Sequence, residues 1–162
     1  MNIVNSVAVV VAVATGSLAA PIVCADTQTA GPSFISVTAS ELKWTDAPSV
    51  GLGAQIAVIE GDLKTAGPLT FRLKLPPNLV IGVHTHPGYE RVTVISGSFN
   101  FATGDKFDSA KAKSYNAGDL FIVPPGMAMY GETKNEGAIL QIHGTGPWGM
   151  SYLDAKGTSE KK

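Results

Sequence analysis

Three side chains near the middle of the sequence have the types and spacing of metal ligands. His84 and His86 are separated by one residue, and Glu90 follows four residues after the second histidine. Residues two apart in a strand share one face with Cα atoms about 6.6 Å apart, so the two imidazoles can converge on one ion. Two histidines and one carboxylate on one side of a metal leave its other positions open for water, substrate or dioxygen.

The segments around these residues have the pattern of a hairpin. Residues 80–86 are predicted as one strand and residues 90–96 as the next, with Pro87-Gly88 as the turn between them. This hairpin would bring the Glu90 carboxylate beside the two rings. Gly97 is predicted as a further turn, which ends that strand before another at 98–102.

The rest of the chain repeats this alternation of short apolar segments and turn residues. In Leu69–Leu75 four apolar side chains share one face, and Thr70, Arg72 and Lys74 share the other. No segment has a long apolar repeat with the period of a helix. About eight to ten short strands predict an all-β fold, a sandwich or a barrel, in a single domain.

Composition excludes several classes of protein. The chain has 162 residues, of which 44% are hydrophobic, and this suits one domain with a real core. Only 15% of the residues are charged and the net charge is -1, which argues against a nucleic-acid binder or a polybasic membrane-surface protein.

The first 25 residues have the pattern of a cleaved signal peptide. They contain no charged side chain, and Val7–Ala14 is an apolar run of the length found in secretory signals. Ala25 suits signal-peptidase cleavage, so residues 26–162 are expected to form the exported domain, secreted or periplasmic and without a membrane anchor. The alternative is an uncleaved anchor. Cys24, the only cysteine, would leave with the signal, and a lipid on it is disfavoured by the bulky Val23 before it.

Two stretches of the sequence resemble the motifs of the cupin superfamily. The stretch His84-Thr85-His86-Pro87-Gly88-Tyr89-Glu90 with Gly97 resembles the first motif, around residues 84–97. Gly118 followed by Pro124-Pro125-Gly126 resembles the second, around residues 118–129. The likeness is to small secreted bacterial single-domain cupins. It implies a cupin-type jelly-roll β-barrel, a divalent transition metal held by His84, His86 and Glu90, and a homodimer.

The sequence departs from these motifs at two positions. Asn78 stands where the first motif normally opens with glycine, and asparagine tolerates left-handed backbone well. Met129 stands where the second motif normally supplies a fourth histidine ligand. Met129 could leave a three-ligand site, could coordinate weakly and favour a softer metal such as copper, or could mark an interior repacked for an organic ligand.

Two residues of a late strand are further candidates for the site. His143 could replace the missing histidine, and Gln141 shares its face as a possible neighbour of ligand or substrate. The alternative for His143 is a structural role at the Gly144–Gly146 turn.

Several nearby residues are expected to have structural roles. Arg91 and Tyr130 alternate away from Glu90 and Met129 and should face outward, whereas Met127 should share the face of Met129. Trp148 is expected to pack structurally near the C-terminus. Phe71, Phe99 and Phe101 are expected in the barrel core.

These observations support two main functional hypotheses. The first is an exported metal-binding cupin acting as an oxygenase-type enzyme on a small organic substrate, through a 2-His-1-carboxylate site. The second is a non-catalytic periplasmic module that binds or senses a metal or small molecule, and a barrel kept as an interaction domain is a third. The residues do not discriminate among Fe, Mn, Zn, Ni and Cu.

Overall fold

The computed structural model describes residues 33–153. The chain divides into two units, Met1–Phe34 and Ile35–Lys162, and the second contains all the strands described. The expected signal peptide, residues 1–25, lies outside the described residues. Within 33–153, no helix has the length and apolar character needed to cross a membrane.

Ten strands, within the predicted eight to ten, and two single-turn 3-10 helices make up the described fold. The strands are β1 (Thr45–Asp46), β2 (Gln55–Glu60), β3 (Gly67–Leu75), β4 (Val80–Thr85), β5 (Glu90–Thr103), β6 (Lys113–Asn116), β7 (Leu120–Val123), β8 (Met129–Glu132), β9 (Ala138–Gly146) and β10 (Ser151–Tyr152). The 3-10 turns are Ala39–Glu41 and Ser109–Lys111.

The strands form two antiparallel sheets that share β5. The first sheet has the order β1-β2-β3-β9-β5-β7, and the second has the order β10-β4-β8-β5-β6. The N-terminal half of β5 pairs with β7 and β9, and its C-terminal half pairs with β6 and β8. This curled antiparallel arrangement confirms the all-β jelly-roll class.

Gly97 does not end a strand, contrary to the sequence prediction. It lies inside the continuous strand β5, at the point where that strand passes from one sheet to the other. The pairing of β5 with β9 shifts register between Val94 and Ser96, and Gly97 has φ 72°. A bulge with a left-handed glycine bends a strand without ending it, and local sequence does not distinguish this from a turn.

Substitution of Gly97 should therefore destabilise the fold strongly. An alanine Cβ there would overlap the carbonyl oxygen of Gly137, in addition to the cost of its left-handed φ. We expect Gly97→Ala to lower the free energy of unfolding by at least about 3 kcal/mol in urea titrations. The control is Gly118→Ala, at φ 94° with no atom close to the new Cβ, which should lose only about 1–2 kcal/mol. Equal losses would contradict the clash.

The predicted inward face of β3 is confirmed. Leu69, Phe71, Leu73 and Leu75 are all buried and belong to one core with side chains of β5, β7 and β9. Phe99 and Phe101 belong to the same core, as expected. The Phe101 and Phe121 rings stack with centroids 4.1 Å apart, and they fill the barrel interior below the site.

Tyr130 is buried, contrary to its expected exposure. It does alternate with Met129 along β8, but the segment 105–111 covers that outer face. The Phe107 ring lies 5.0 Å from the Tyr130 ring, and the tyrosine hydroxyl donates a 3.1 Å hydrogen bond to the carbonyl of Asp108. Alternation places a residue on a face but does not say which later segment packs on it.

Candidate metal centre

A bulge in β4 turns the two histidines into the barrel. Ile81 pairs with Gly131 and His84 pairs with Met129, so the register shifts by one residue between Ile81 and His84. Without this shift, residues three apart would face opposite sides of a sheet. Both histidine side chains are buried; His84 lines the inner cavity of the barrel and His86 lines the adjoining outer one. Asn78, at the start of this hairpin, has φ 57°, as its place in the motif predicts.

Each histidine is fixed through its Nδ1 atom. The Nδ1–H of His84 donates to the carbonyl of Gly82 at 2.7 Å, and that of His86 donates to the carbonyl of Gly149 at 2.6 Å. Since a carbonyl can only accept, both rings carry their proton on Nδ1 and keep the lone pair on Nε2. This is the arrangement in which metal-ligating histidines are usually held.

Burial keeps both imidazoles uncharged at neutral pH. Loss of hydration lowers the pKa of His84, and it lowers the pKa of His86 to about 4. The rings lie with centroids 5.0 Å apart at an angle of 82°. Neutral imidazole is the form that binds metal ions, so no proton has to leave either ring at pH 7.

Glu90 is a buried carboxyl group beside these rings. Its Oε1 lies 3.7 Å from Nε2 of His86, and its side chain is only 12% exposed. Burial raises the pKa of Glu90 to about 7. An ion binding here would relieve the cost of holding a negative charge away from water.

The three predicted ligands lie close together, but their side chains are not yet arranged around one common metal position. Within residues 33–153, no group of three or more His, Cys, Asp or Glu side chains has the spacing of a metal site. The donor chemistry nevertheless fits a transition-metal ion, since two neutral Nε2 atoms and one buried carboxyl group line adjoining cavities.

Two cavities meet at Glu90. The outer one has a volume of about 290 Å³ and is lined by His86, Trp148, Phe71 and residues 46–50, among others. The inner one, about 30 Å³, is lined by His84, Met129 and apolar side chains of the barrel. Glu90 and Met150 line both. The outer cavity suits a small organic molecule, and the inner one has room only for an ion or solvent.

Met129 faces the interior, as the motif register predicts. It is 1% exposed and is the pairing partner of His84. Met127 does not share its position, because it precedes β8 and is 41% exposed. The expectation that both methionines share one strand face is therefore wrong.

His143 and Gln141 lie on the opposite face of the sheet from the candidate ligands. They alternate along β9 with Leu140 and Ile142, which are buried in the core, so neither side chain can reach the site. Gly144–Gly146 belong to strand β9 and do not form a turn, so the expected structural role of His143 at a turn does not arise. Its ring contacts a threonine and a glutamine on the outer face instead.

A directional chain of hydrogen bonds holds these outer residues. Arg72 Nε donates to Gln141 Oε1 at 3.0 Å, and Gln141 Nε2 donates to His143 Nε2 at 3.0 Å. His143 Nδ1 then donates to Thr70 Oγ1 at 3.1 Å, and that hydroxyl donates to Glu60 Oε2 at 2.8 Å. The chain joins β2, β3 and β9 on the outside of the barrel. Arg91 is exposed on this same side, as predicted.

Trp148 contacts the site directly, which the sequence analysis missed. Its ring stacks on His86 with centroids 4.5 Å apart and an angle of 23°, and it forms a wall of the outer cavity. Its backbone N–H donates to the carbonyl of Leu63 at 2.7 Å. Its place near the C-terminus gave no sign of this contact, because His86 lies 62 residues earlier in the sequence.

Comparisons with known proteins agree with this architecture. The cupin family profile matches residues 56–145, a little over half of the chain. No curated protein matches the chain. Among solved structures, the polyketide cyclase RemF from Streptomyces resistomycificus has a TM-score of 0.64 at 12% identity, covering 76% of this chain and 88% of that one.

Two further structures are similar over comparable lengths. KdgF from Halomonas sp. has a TM-score of 0.55 at 16% identity, covering 70% of this chain and 93% of that one. A RmlC-like cupin from Shewanella frigidimarina has a TM-score of 0.55 at 18% identity, covering 70% and 91%. At these identities the likeness is one of fold alone.

Proton competition for this site should centre on Glu90. The His86 pKa of about 4 leaves that ring neutral at pH 6, whereas the Glu90 pKa of about 7 leaves the carboxyl group protonated. Metal affinity should therefore fall as pH drops through 7, and should be about 100-fold weaker at pH 5 than above pH 7. Calorimetric titration with Zn(II) in two buffers of different ionisation enthalpy would measure about one proton released per ion at pH 6. Release of no proton would contradict the role of Glu90.

Proposed function

The chain belongs to the cupin family, and from this we propose that it binds a transition-metal ion through His84, His86 and Glu90. The observation that carries the proposal is the state of these donors. Both imidazoles are neutral, with Nδ1–H donated to a carbonyl and Nε2 left free, beside a carboxyl group that burial would otherwise keep uncharged.

The outer cavity supports a small organic molecule as substrate or ligand. Its 290 Å³ is at the lower end of the volumes that such molecules occupy in proteins. Trp148 and Phe71 offer aromatic surface, and their rings pack edge to face with centroids 5.6 Å apart. Asp46 and Ser49 add polar groups to the lining. A planar or partly apolar molecule with one or two polar groups suits this wall.

The reaction we favour is of oxygenase type. A bound metal would supply Lewis-acid or dioxygen chemistry at its open positions. The chain's own residues would hold the ion through Nε2 of each histidine, orient the organic molecule against Trp148, and exclude water from the inner side. Glu90 lines both cavities, so its ionised carboxylate would hold the ion next to a bound organic molecule.

A non-catalytic binding or sensing module is the second candidate. It is favoured by the lack, within residues 33–153, of a closed group of three metal-binding side chains. A module that only binds an ion or a small molecule would not need its ligands held at reaction geometry before binding.

Metal analysis followed by an oxygen assay tests the proposal. The purified chain is loaded anaerobically with each of Fe, Mn, Zn, Ni and Cu, dialysed, and its metal content measured by mass spectrometry. We expect about one ion per chain for at least one metal. No retained metal would reject the proposal. Oxygen consumption with a panel of small aromatic and keto acids then separates an enzyme from a binding module.

Export and self-association are parts of the same proposal. We expect processing before Asp26, and an intact mass from the native host that still includes residues 1–25 would contradict it. A homodimer is supported by β7, which pairs only with β5 among the described strands and exposes Leu120 and Ile122 at 61% and 55%. Light scattering after size exclusion would measure the mass in solution.

A further inference from the structure

We infer that the thioethers of Met129 and Met150 are additional soft donors at the site and make it selective for Cu(I). The inference rests on the proposed metal binding and concerns the identity of the ion. Met129 and Met150 are the two of the four methionines in the sequence that line the cavities at Glu90.

Both sulfur-bearing side chains lie beside the candidate ligands. Met129 is fully buried, pairs with His84, and lines the inner cavity with His84 and Glu90. Met150 lines this inner cavity and also the outer cavity with His86. Its backbone lies next to His86, because the carbonyl of the preceding Gly149 accepts the Nδ1–H of His86. Both methionines thus share a cavity with Glu90, and Met150 shares the outer one with it as well.

The mixture of donors selects copper over the other transition metals. Thioether sulfur is a soft ligand, and soft ligands favour Cu(I) over Fe(II) and Mn(II). Imidazole also binds copper well. The inner cavity offers no second carboxylate or third imidazole that a harder ion would need, since its remaining lining consists of Tyr130, a glycine and hydrocarbon side chains.

Charge balance points in the same direction. Two neutral imidazoles, two neutral thioethers and one carboxylate carry a total charge of -1. Cu(I) brings this sum to zero, whereas any divalent ion leaves an uncompensated positive charge. The inner cavity is lined by Leu73, Val92 and Phe99 among others, so an unbalanced charge there would have little solvation.

The test compares Cu(I) and Zn(II) affinities in methionine variants of the full chain. All variants carry Cys24→Ser, because a free thiol would itself bind Cu(I). Cu(I) is titrated anaerobically against bicinchoninate, and Zn(II) against a chromophoric chelator. We expect Met129→Leu and Met150→Leu each to weaken Cu(I) binding at least about tenfold and to change Zn(II) binding less than about threefold.

Met127→Leu is the matched control, since Met127 is exposed and lines neither cavity. It should leave both affinities unchanged. If all three leucine variants bind Cu(I) like the parent while His86→Ala does not, the thioethers are not ligands and the inference is overturned, although the metal site stands. If the parent binds neither ion, the proposed function itself fails.

X-ray absorption of the copper-loaded parent gives a second readout that does not depend on any variant folding. Sulfur neighbours of copper in the Cys24→Ser chain can come only from methionine. We expect at least one sulfur together with imidazole nitrogen. A coordination shell of nitrogen and oxygen alone would overturn the inference.

Discussion

His86→Ala should lower metal affinity at least about 100-fold. The substitution removes one of two Nε2 donors and leaves the carbonyl of Gly149 without its imidazole donor. It also removes the surface on which Trp148 stacks. Of the three ligands in the proposed function only His84 and Glu90 would remain, and two such ligands rarely hold a transition-metal ion. Equilibrium dialysis with metal analysis measures the loss.

The matched control for this variant is His143→Ala. His143 is an exposed histidine on the outer face of β9, where it contacts Thr70 and Gln141 but not the cavities. Its substitution should leave metal affinity within about twofold of the parent. Equal losses in the two variants would show that the binding is non-specific, and no loss in His86→Ala would reject this site.

Glu90→Gln should abolish metal binding while making the metal-free chain more stable at alkaline pH. The pKa of Glu90 is about 7 in the fold, above the ordinary carboxyl value of 4.5. Unfolding therefore favours release of its proton, and the parent loses stability as pH rises from 4.5 through 7. Glutamine carries no charge at any pH. The variant should gain about 3 kcal/mol over the parent above pH 7 and nothing below pH 4.5.

Urea titrations with a chelator present, at pH 4.5 and pH 8.5, measure this gain. The exposed Glu136→Gln serves as the control and should show no such difference between the two pH values. A Glu90→Gln variant that is no more stable than the parent at pH 8.5 would mean that the carboxylate is solvated or paired in the folded chain. Its metal binding, measured separately, tests its role as a ligand.

The strand content of the fold follows from local sequence because it depends on alternation and turn residues. The alternation of Leu69–Leu75 identifies both the strand and its buried face. The continuation of β5 through Gly97 does not follow from local sequence, since it depends on pairing with β9, where the partner of Gly97 is Ala138. The bulge in β4 is likewise defined by its partner β8.

In the candidate site, too, the contacts within one hairpin could be predicted from the sequence and the contacts between distant residues could not. His84, His86 and Glu90 come together because one hairpin carries all three. Gln141 and His143 were predicted near the site because the second motif lacks its fourth histidine ligand. Alternation along β9 instead places their side chains on the outer face of the sheet. The stacking of Trp148 on His86 joins residues 62 positions apart, and no spacing rule connects them.

The shared strand β5 has a consequence for how a bound ion would act on the whole molecule. His84 belongs to the sheet of β4 and β8, whereas Glu90 belongs to the sheet of β7 and β9. An ion held by both would cross-link the two sheets, so its release would accompany global rather than local unfolding. By linkage, free metal at about 100 times its dissociation constant would add about 2.7 kcal/mol to the stability of both sheets together. Amide hydrogen exchange would then slow by a common factor, near 100-fold, in every strand that opens only when the whole domain unfolds.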